Sequence, residues 1–149
     1  MKHSTYVQID KPLAEVWDYF RQVENMDKWL HGYCKTEHLS GEIGQPKSTY
    51  RQYYTGPAGK EIIFREEVLV VEDQKRFKTK MRNNMLEMTI NTKFYPKGEF
   101  TEIWSEADVS FNNFAFRLMS SILMKEVTDR QDKNFKKLKA VLEAGVMES

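Results

Sequence analysis

The stretch FAFRLMSSILMKEVTDRQDKNF, residues 114–135, decides how the rest of the chain is read. At about 100° per residue, Phe116, Met119, Leu123 and Val127 form one stripe of a helix, with Phe114, Leu118 and Ile122 forming a second beside it. Two such stripes cannot press equally on one surface. Further along, Phe135, Leu138, Val141 and Leu142 continue as a narrower stripe. Between them lies TDRQDKN, residues 128–134, where the apolar pattern lapses for about two turns. Either Arg130 and Gln131 turn inward with partners, or the helix lines a partly polar space. Arg117, Lys125 and Glu126 interrupt the stretch, and it falls short of the roughly 20 apolar residues of a membrane span. The predicted element is one long helix over 113–145, closed by Gly145.

What precedes this helix must supply the surface it covers. HSTYVQID near the start alternates Thr5, Val7 and Ile9 against Tyr6 and Gln8, which is a strand pattern. Asp10 and Pro12 then open a helix carrying Leu13, Val16, Trp17 and Phe20 at helical spacing. A second short helix covers ENMDKWL and stops before Gly32. Turn residues then cut the chain into six strands, at about 33–39, 46–54, 60–72, 76–82, 86–95 and 100–110. Short connections favour sequential antiparallel pairing. The predicted architecture is α+β in a single domain over residues 1–149. A curved seven-stranded antiparallel sheet wraps around the long C-terminal helix, with two short helices after the first strand.

Period-two reading assigns the faces. Leu86, Met88, Ile90, Thr92 and Phe94 share one face, as do Phe77, Thr79 and Met81, and as do Ile103, Ser105, Ala107 and Val109. The small pair Ser105 and Ala107 either packs tightly against the helix or leaves room. On strand 60–72 the inward set is Ile62, Phe64, Glu66, Val68 and Val70. Glu66 then either pairs with Arg51 of the neighbouring strand or sits solvated at the rim. Strand 46–54 offers Tyr50 and Tyr54 on one face and Arg51 and Tyr53 on the other, and the pattern does not choose between them.

The 149 residues carry 23 Lys and Arg against 22 Asp and Glu, a balance that gives no field for nucleic acid. The single cysteine, Cys34, allows no internal disulfide, and the first dozen residues lack an apolar leader, so a cytoplasmic location is expected. Cys34 and His38 on one strand would stand about 13 Å apart, too far for a nucleophile and its base. With His31 they match no zinc spacing, and no cofactor or metal is expected.

In this order and spacing, the segments VQIDKPLAEVWDYFRQVENMDKWL, GEIGQPKSTYRQ, EEVLVVEDQKRF, FTEIWSEADVSF and FKKLKAVLE carry a resemblance over nearly the whole chain. It resembles the START-like, polyketide cyclase/dehydrase (SRPBCC) superfamily with the helix-grip fold. Pro12, Val16, Trp17, Trp29, Gly41 and Gly44 sit where that family's structural markers fall. A glycine usual before the YRQ-like strand is replaced nearby by Pro46 and Lys47. The resemblance implies a cavity between sheet and last helix, used across the family for apolar molecules such as lipids, sterols or polyketides.

The leading expectation is therefore a binder of a small hydrophobic or amphipathic ligand, acting as a monomer or homodimer without membrane insertion. Tyr50, Phe64, Met81, Met88, Ile90, Ser105 and Ala107 on the sheet are the expected ligand-binding wall, facing Phe116, Met119, Ser120 and Leu123 of the helix. The alternative is a cyclase- or dehydratase-like enzyme in the same cavity. There Glu66 would move a proton while Arg51 or Tyr50 holds an enolate oxygen. A third reading, by similarity to chaperone-ATPase activators, is an interaction module docking through Trp104 on the outer sheet face.

Overall fold

Thr5, Val7 and Ile9 are buried and the residues between them are not, so the first strand lies with one face on the core. In the computed structural model, described here for residues 1–144, this strand is β1 (Lys2–Ile9). It leads into α1 (Leu13–Arg21), a 3-10 turn at Val23–Asn25 and α2 (Met26–Trp29). Six strands follow: β2 (Tyr33–Ser40), β3 (Thr49–Thr55), β4 (Glu61–Glu72), β5 (Arg76–Arg82), β6 (Leu86–Lys97) and β7 (Phe100–Phe111). The chain ends in α3 (Phe114–Leu118) and α4 (Ser120–Ala144). Every neighbouring pair in the sheet is antiparallel, in the order β1-β7-β6-β5-β4-β3-β2. The α+β helix-grip architecture expected from the sequence is what the chain adopts: a curved sheet around a long helix, with short helices after β1. The proposed stop at Gly145 lies outside the described residues.

Two details depart from expectation, and a third marks local strain. The last helix is two helices. Asn113 caps α3 by accepting the Phe116 N–H at 3.0 Å, and the chain turns at Met119, whose φ of −96° and ψ of 9° leave the helical region. This break separates the two stripes. Phe116, Leu123 and Val127 turn inward, while Phe114, Leu118 and Ile122 are about 70% exposed. Second, β4 carries a bulge. Val68 pairs with Thr79 but Val70 with Lys78, so Leu69 is the extra residue and the side-chain parity flips. Val71, not Val70, then lies opposite Phe77 and packs on the core. Third, Lys47 holds φ at +74°, a region costing a residue with a Cβ roughly 1 kcal/mol or more. A glycine there would carry no such cost.

The buried residues fall into two clusters. One joins Val16, Trp17, Trp29 and Phe94 to Phe135, Leu138 and Leu142, so the short helices close on the C-terminal half of α4. The other gathers Met81, Leu86, Met88, Ala107 and Phe111 under Met124, near the start of α4. The inner face of α4 between the two is occupied by Gln131 and Asn134, both buried. The polar lapse in the sequence thus keeps its helical spacing, 124–131–134–138, and points inward between two apolar cores.

Candidate functional site

Facing walls that carry large side chains at both ends and smaller or flexible ones between them do not close on each other. Between sheet and helix the chain encloses a cavity of about 690 Å³, within the range of small-molecule pockets. The sheet wall comes from alternate residues of four strands: Gln52 and Tyr54 of β3, Ile62, Phe64 and Glu66 of β4, Phe77, Thr79 and Met81 of β5, and Leu86, Met88, Ile90 and Thr92 of β6. The helix wall comes from Phe116 of α3 and from Leu123, Val127, Arg130, Gln131, Asn134 and Phe135 of α4. Phe20, Met26, Trp29 and Leu30 close the inner end. The exposed Pro57, Lys60, Glu61 and Asn84 mark the opposite end, where the β3–β4 loop and the β5–β6 turn meet solvent.

A polar chain crosses β2, β3 and β4 into this cavity. The strand β3 turns Tyr50, Gln52 and Tyr54 inward and Arg51 and Tyr53 outward. Thr36 Oγ1 donates to Gln52 Oε1, and Gln52 Nε2 donates to Glu66 Oε1 at 2.9 Å. A hydroxyl has one proton, so the Tyr33 hydroxyl, 2.6 Å from Thr36 Oγ1, is the donor of that pair. In this arrangement the Gln52 amide turns its nitrogen toward Glu66. The second oxygen of Glu66 takes no hydrogen bond among the described residues. Burial pushes the Glu66 carboxyl above its ordinary value, and the Gln52 hydrogen bond only partly offsets this. Tyr54 is raised as well, by burial first and by the charge of Glu66 second, with Arg130 opposing. The Arg130 guanidinium lies over the Tyr54 ring at 5.9 Å and 3.8 Å from Glu126. Trp29 Nε1 is buried without an acceptor among the described residues.

The raised Glu66 has a stability consequence of definite sign. Its folded-state pKa lies above the ordinary 4.5. Its ionisation therefore removes stability as pH rises from about 4.5 toward the folded value, by about 1.4 kcal/mol per pH unit within that window. Glu66→Gln, whose amide oxygen still accepts from Gln52, escapes this loss. Urea melts are expected to show variant and wild type nearly equal at pH 4 and the variant more stable at pH 8. A gap that stays constant across this range would contradict the raised carboxyl.

Of the residues singled out from sequence, Phe64, Met81, Met88, Ile90, Phe116, Leu123 and Glu66 border the one cavity. Others stand elsewhere. Tyr50 is buried but beyond the wall, where its hydroxyl accepts the Gly44 N–H at 2.7 Å and donates to Ser48 Oγ at 3.0 Å. Arg51 faces outward on an ion pair with Glu37, so the partner of Glu66 is Gln52 and not Arg51. Ser105 is sealed against Thr92 at 2.9 Å, and Ala107 is packed in the second core cluster, so this small pair is tight packing and not room. Met119 is 48% exposed at the helix break, and Ser120 stands beside it, off the wall. Sequence reading missed Gln52, which period two places with Tyr50 and Tyr54. It also left Gln131 undecided and missed Asn134, both of which the inner stripe reaches if it is carried through the polar segment.

Cys34 is exposed, with its thiol 3.2 Å from Thr55 Oγ1, and His38 Nε2 sits 2.8 Å from the Gly41 carbonyl. Among the described residues no three His, Cys, Asp or Glu side chains are grouped to hold a metal ion. No helix among them is long and apolar enough to cross a membrane. Trp104 on the outer face is 47% exposed and meets Tyr6 of β1 at 4.6 Å with the rings tilted by 48°, a cross-strand aromatic pair.

Comparison with known proteins gives a consistent picture. The family model described as polyketide cyclase/dehydrase and lipid transport matches residues 2–143. No curated protein matches the sequence. Among solved structures, a protein from Thermus thermophilus superposes with a TM-score of 0.80 at 17% identity, covering 97% of this chain and 99% of that one. A conserved protein from Geobacillus kaustophilus gives 0.78 at 15% identity, covering 95% of both chains. Ara h 8.0201 gives 0.67 at 11% identity over 100% of this chain and 99% of its own. Identities this low speak to the fold alone.

Proposed function

The chain belongs to the polyketide cyclase/dehydrase and lipid transport family, and from that premise we propose that it binds a small, mainly apolar or amphipathic molecule between sheet and helix. One observation carries the reading: a cavity of about 690 Å³ walled by phenylalanine and methionine side chains and open at one end. Protein interiors ordinarily pack to the density of organic crystals, and voids cost stability. A fold that keeps this much apolar wall apart gives up packing that a ligand would restore. The flexible thioethers of Met26, Met81 and Met88 can fit their shape to it.

Native mass spectrometry of the protein purified from cells without detergent tests this. The expected result is a bound small molecule that organic solvent releases. Failure both to carry such a molecule and to bind any apolar probe saturably would end the proposal.

Catalysis in the same cavity is a second reading, and Glu66 favours it. A buried carboxyl with one oxygen free, raised above its ordinary value by burial, is suited to proton transfer. Its expected helpers are not there, since Arg51 is outside and Tyr50 lies off the wall. Any turnover found should fall on Glu66→Gln; equal rates would remove Glu66 from the chemistry.

A further inference from the structure

Within the cavity the unpartnered polar atoms are not scattered. Gln131 is only 8% exposed, yet its side-chain amide makes no hydrogen bond among the described residues. It is not sealed in packed atoms either, because Trp29 Nε1 alone is both sealed and unpaired among the buried side-chain polar atoms described. Its amide therefore faces the cavity. Asn134, one turn on, spends its oxygen on the His31 N–H at 2.8 Å, which leaves its amide nitrogen toward the same space. On the sheet wall the second oxygen of Glu66 is open, held in place by the Tyr33–Thr36–Gln52 chain. A ligand group supplying hydrogen bonds to these amides is favoured there over an apolar one.

Two of the three cations bordering the cavity are already engaged, and the third stands in solvent at its rim. Arg130 is shared between Glu126 and the Tyr54 ring. Arg21 donates to the Gly44 carbonyl at 2.6 Å and lies over the rings of Trp17 and Phe77. Lys60 stands at the exposed rim beside Glu61. No free positive charge waits inside for an anion among the described residues.

We propose that the cavity selects amphipathic molecules whose polar end is an uncharged hydrogen-bonding group, such as an alcohol, phenol or ketone, seated between Glu66 and the Gln131–Asn134 face of α4. This rests on the ligand-binding reading above and specifies the head group. The apolar body then lies along Phe64, Ile90 and Leu123 toward the open end.

Fluorescence titration with pyrene, 1-hydroxypyrene and 1-pyrenecarboxylate at pH 6.5 tests it, because the three share one apolar body. The hydroxyl compound is expected to bind at least tenfold tighter than either other compound. Gln131→Leu should cut that advantage over pyrene to threefold or less. Because the amide has no protein partner to lose, this variant should melt no lower than wild type; Gln131→Met serves as a second variant if it does. Equal binding of pyrene and 1-hydroxypyrene would overturn the head-group proposal and leave the apolar cavity standing. A preference for the carboxylate would also overturn it, as would a hydroxyl advantage that survives both variants. Binding of none of the three would overturn the ligand-binding reading itself.

Discussion

Replacing Ile90 and Leu123 together by tryptophan is expected to weaken apolar probe binding at least thirtyfold while leaving the fold intact. The two residues stand on opposite walls, Ile90 on β6 between Thr79 and Ala107 in the sheet register, Leu123 on α4. Both are half-buried because their exposed surface opens on the cavity. In a close-packed interior, added ring atoms force off-rotamer side chains and backbone shifts, typically at about 1–3 kcal/mol per site. Here the indoles have space to enter, so the thermal midpoint should move by only a few degrees. The paired readout separates the two possibilities. Lost binding with a retained midpoint is the expected outcome. A large drop in the midpoint with probe affinity unchanged would mean that the walls are packed and the probe binds elsewhere.

Trp17→Ala should do the opposite, destabilising the chain by about 3–5 kcal/mol, a large share of the roughly 5–15 kcal/mol that holds a typical domain. Trp17 is 3% exposed and meets Phe94 of β6 edge-on at 5.0 Å. Phe94 meets Phe20, Phe20 meets Trp29, and Trp29 meets Phe135 of α4, all between 5.1 and 5.7 Å. This aromatic run ties α1, the sheet, α2 and α4 into one cluster. Removing its first ring leaves a hole that rigid neighbours cannot fill and strips the Arg21 guanidinium of one of the faces it covers. Urea unfolding with a two-state fit measures the loss. A change below about 1 kcal/mol would show that the short helices do not depend on this anchor.

The opposite characters of these two substitutions follow from where each residue falls. Trp17 belongs to a pattern legible in the sequence, an aromatic at helical spacing after a strand and a proline. Its packing partners follow once strand and helix are stacked. Ile90 and Leu123 carry equally plain apolar patterns, yet nothing local distinguishes a side chain against a neighbour from one against a cavity. Ser105 and Ala107 show the limit from the other direction. Their small size left both tight packing and room open, and the Thr92 hydroxyl and the second core cluster close around them.

The alternation of the strands, the turn residues between them and the helical spacing at both ends determined the element order, the inward faces of β5, β6 and β7, and the helix-grip architecture. These are properties of short windows, where a period of about 2 or 3.6 reads directly from the chain. The polar lapse of the opening stretch was equally visible, though not its meaning. Tertiary structure alone decided that Gln131 and Asn134 face inward between two apolar clusters, that Gln52 and not Arg51 holds Glu66, and that the helix breaks at Met119. A bulge at Leu69 and a break at Met119 each rotate every later side chain relative to its wall. The distance between sheet and helix is a sum over contacts far apart in sequence. No local period encodes that sum, and the cavity is what remains of it.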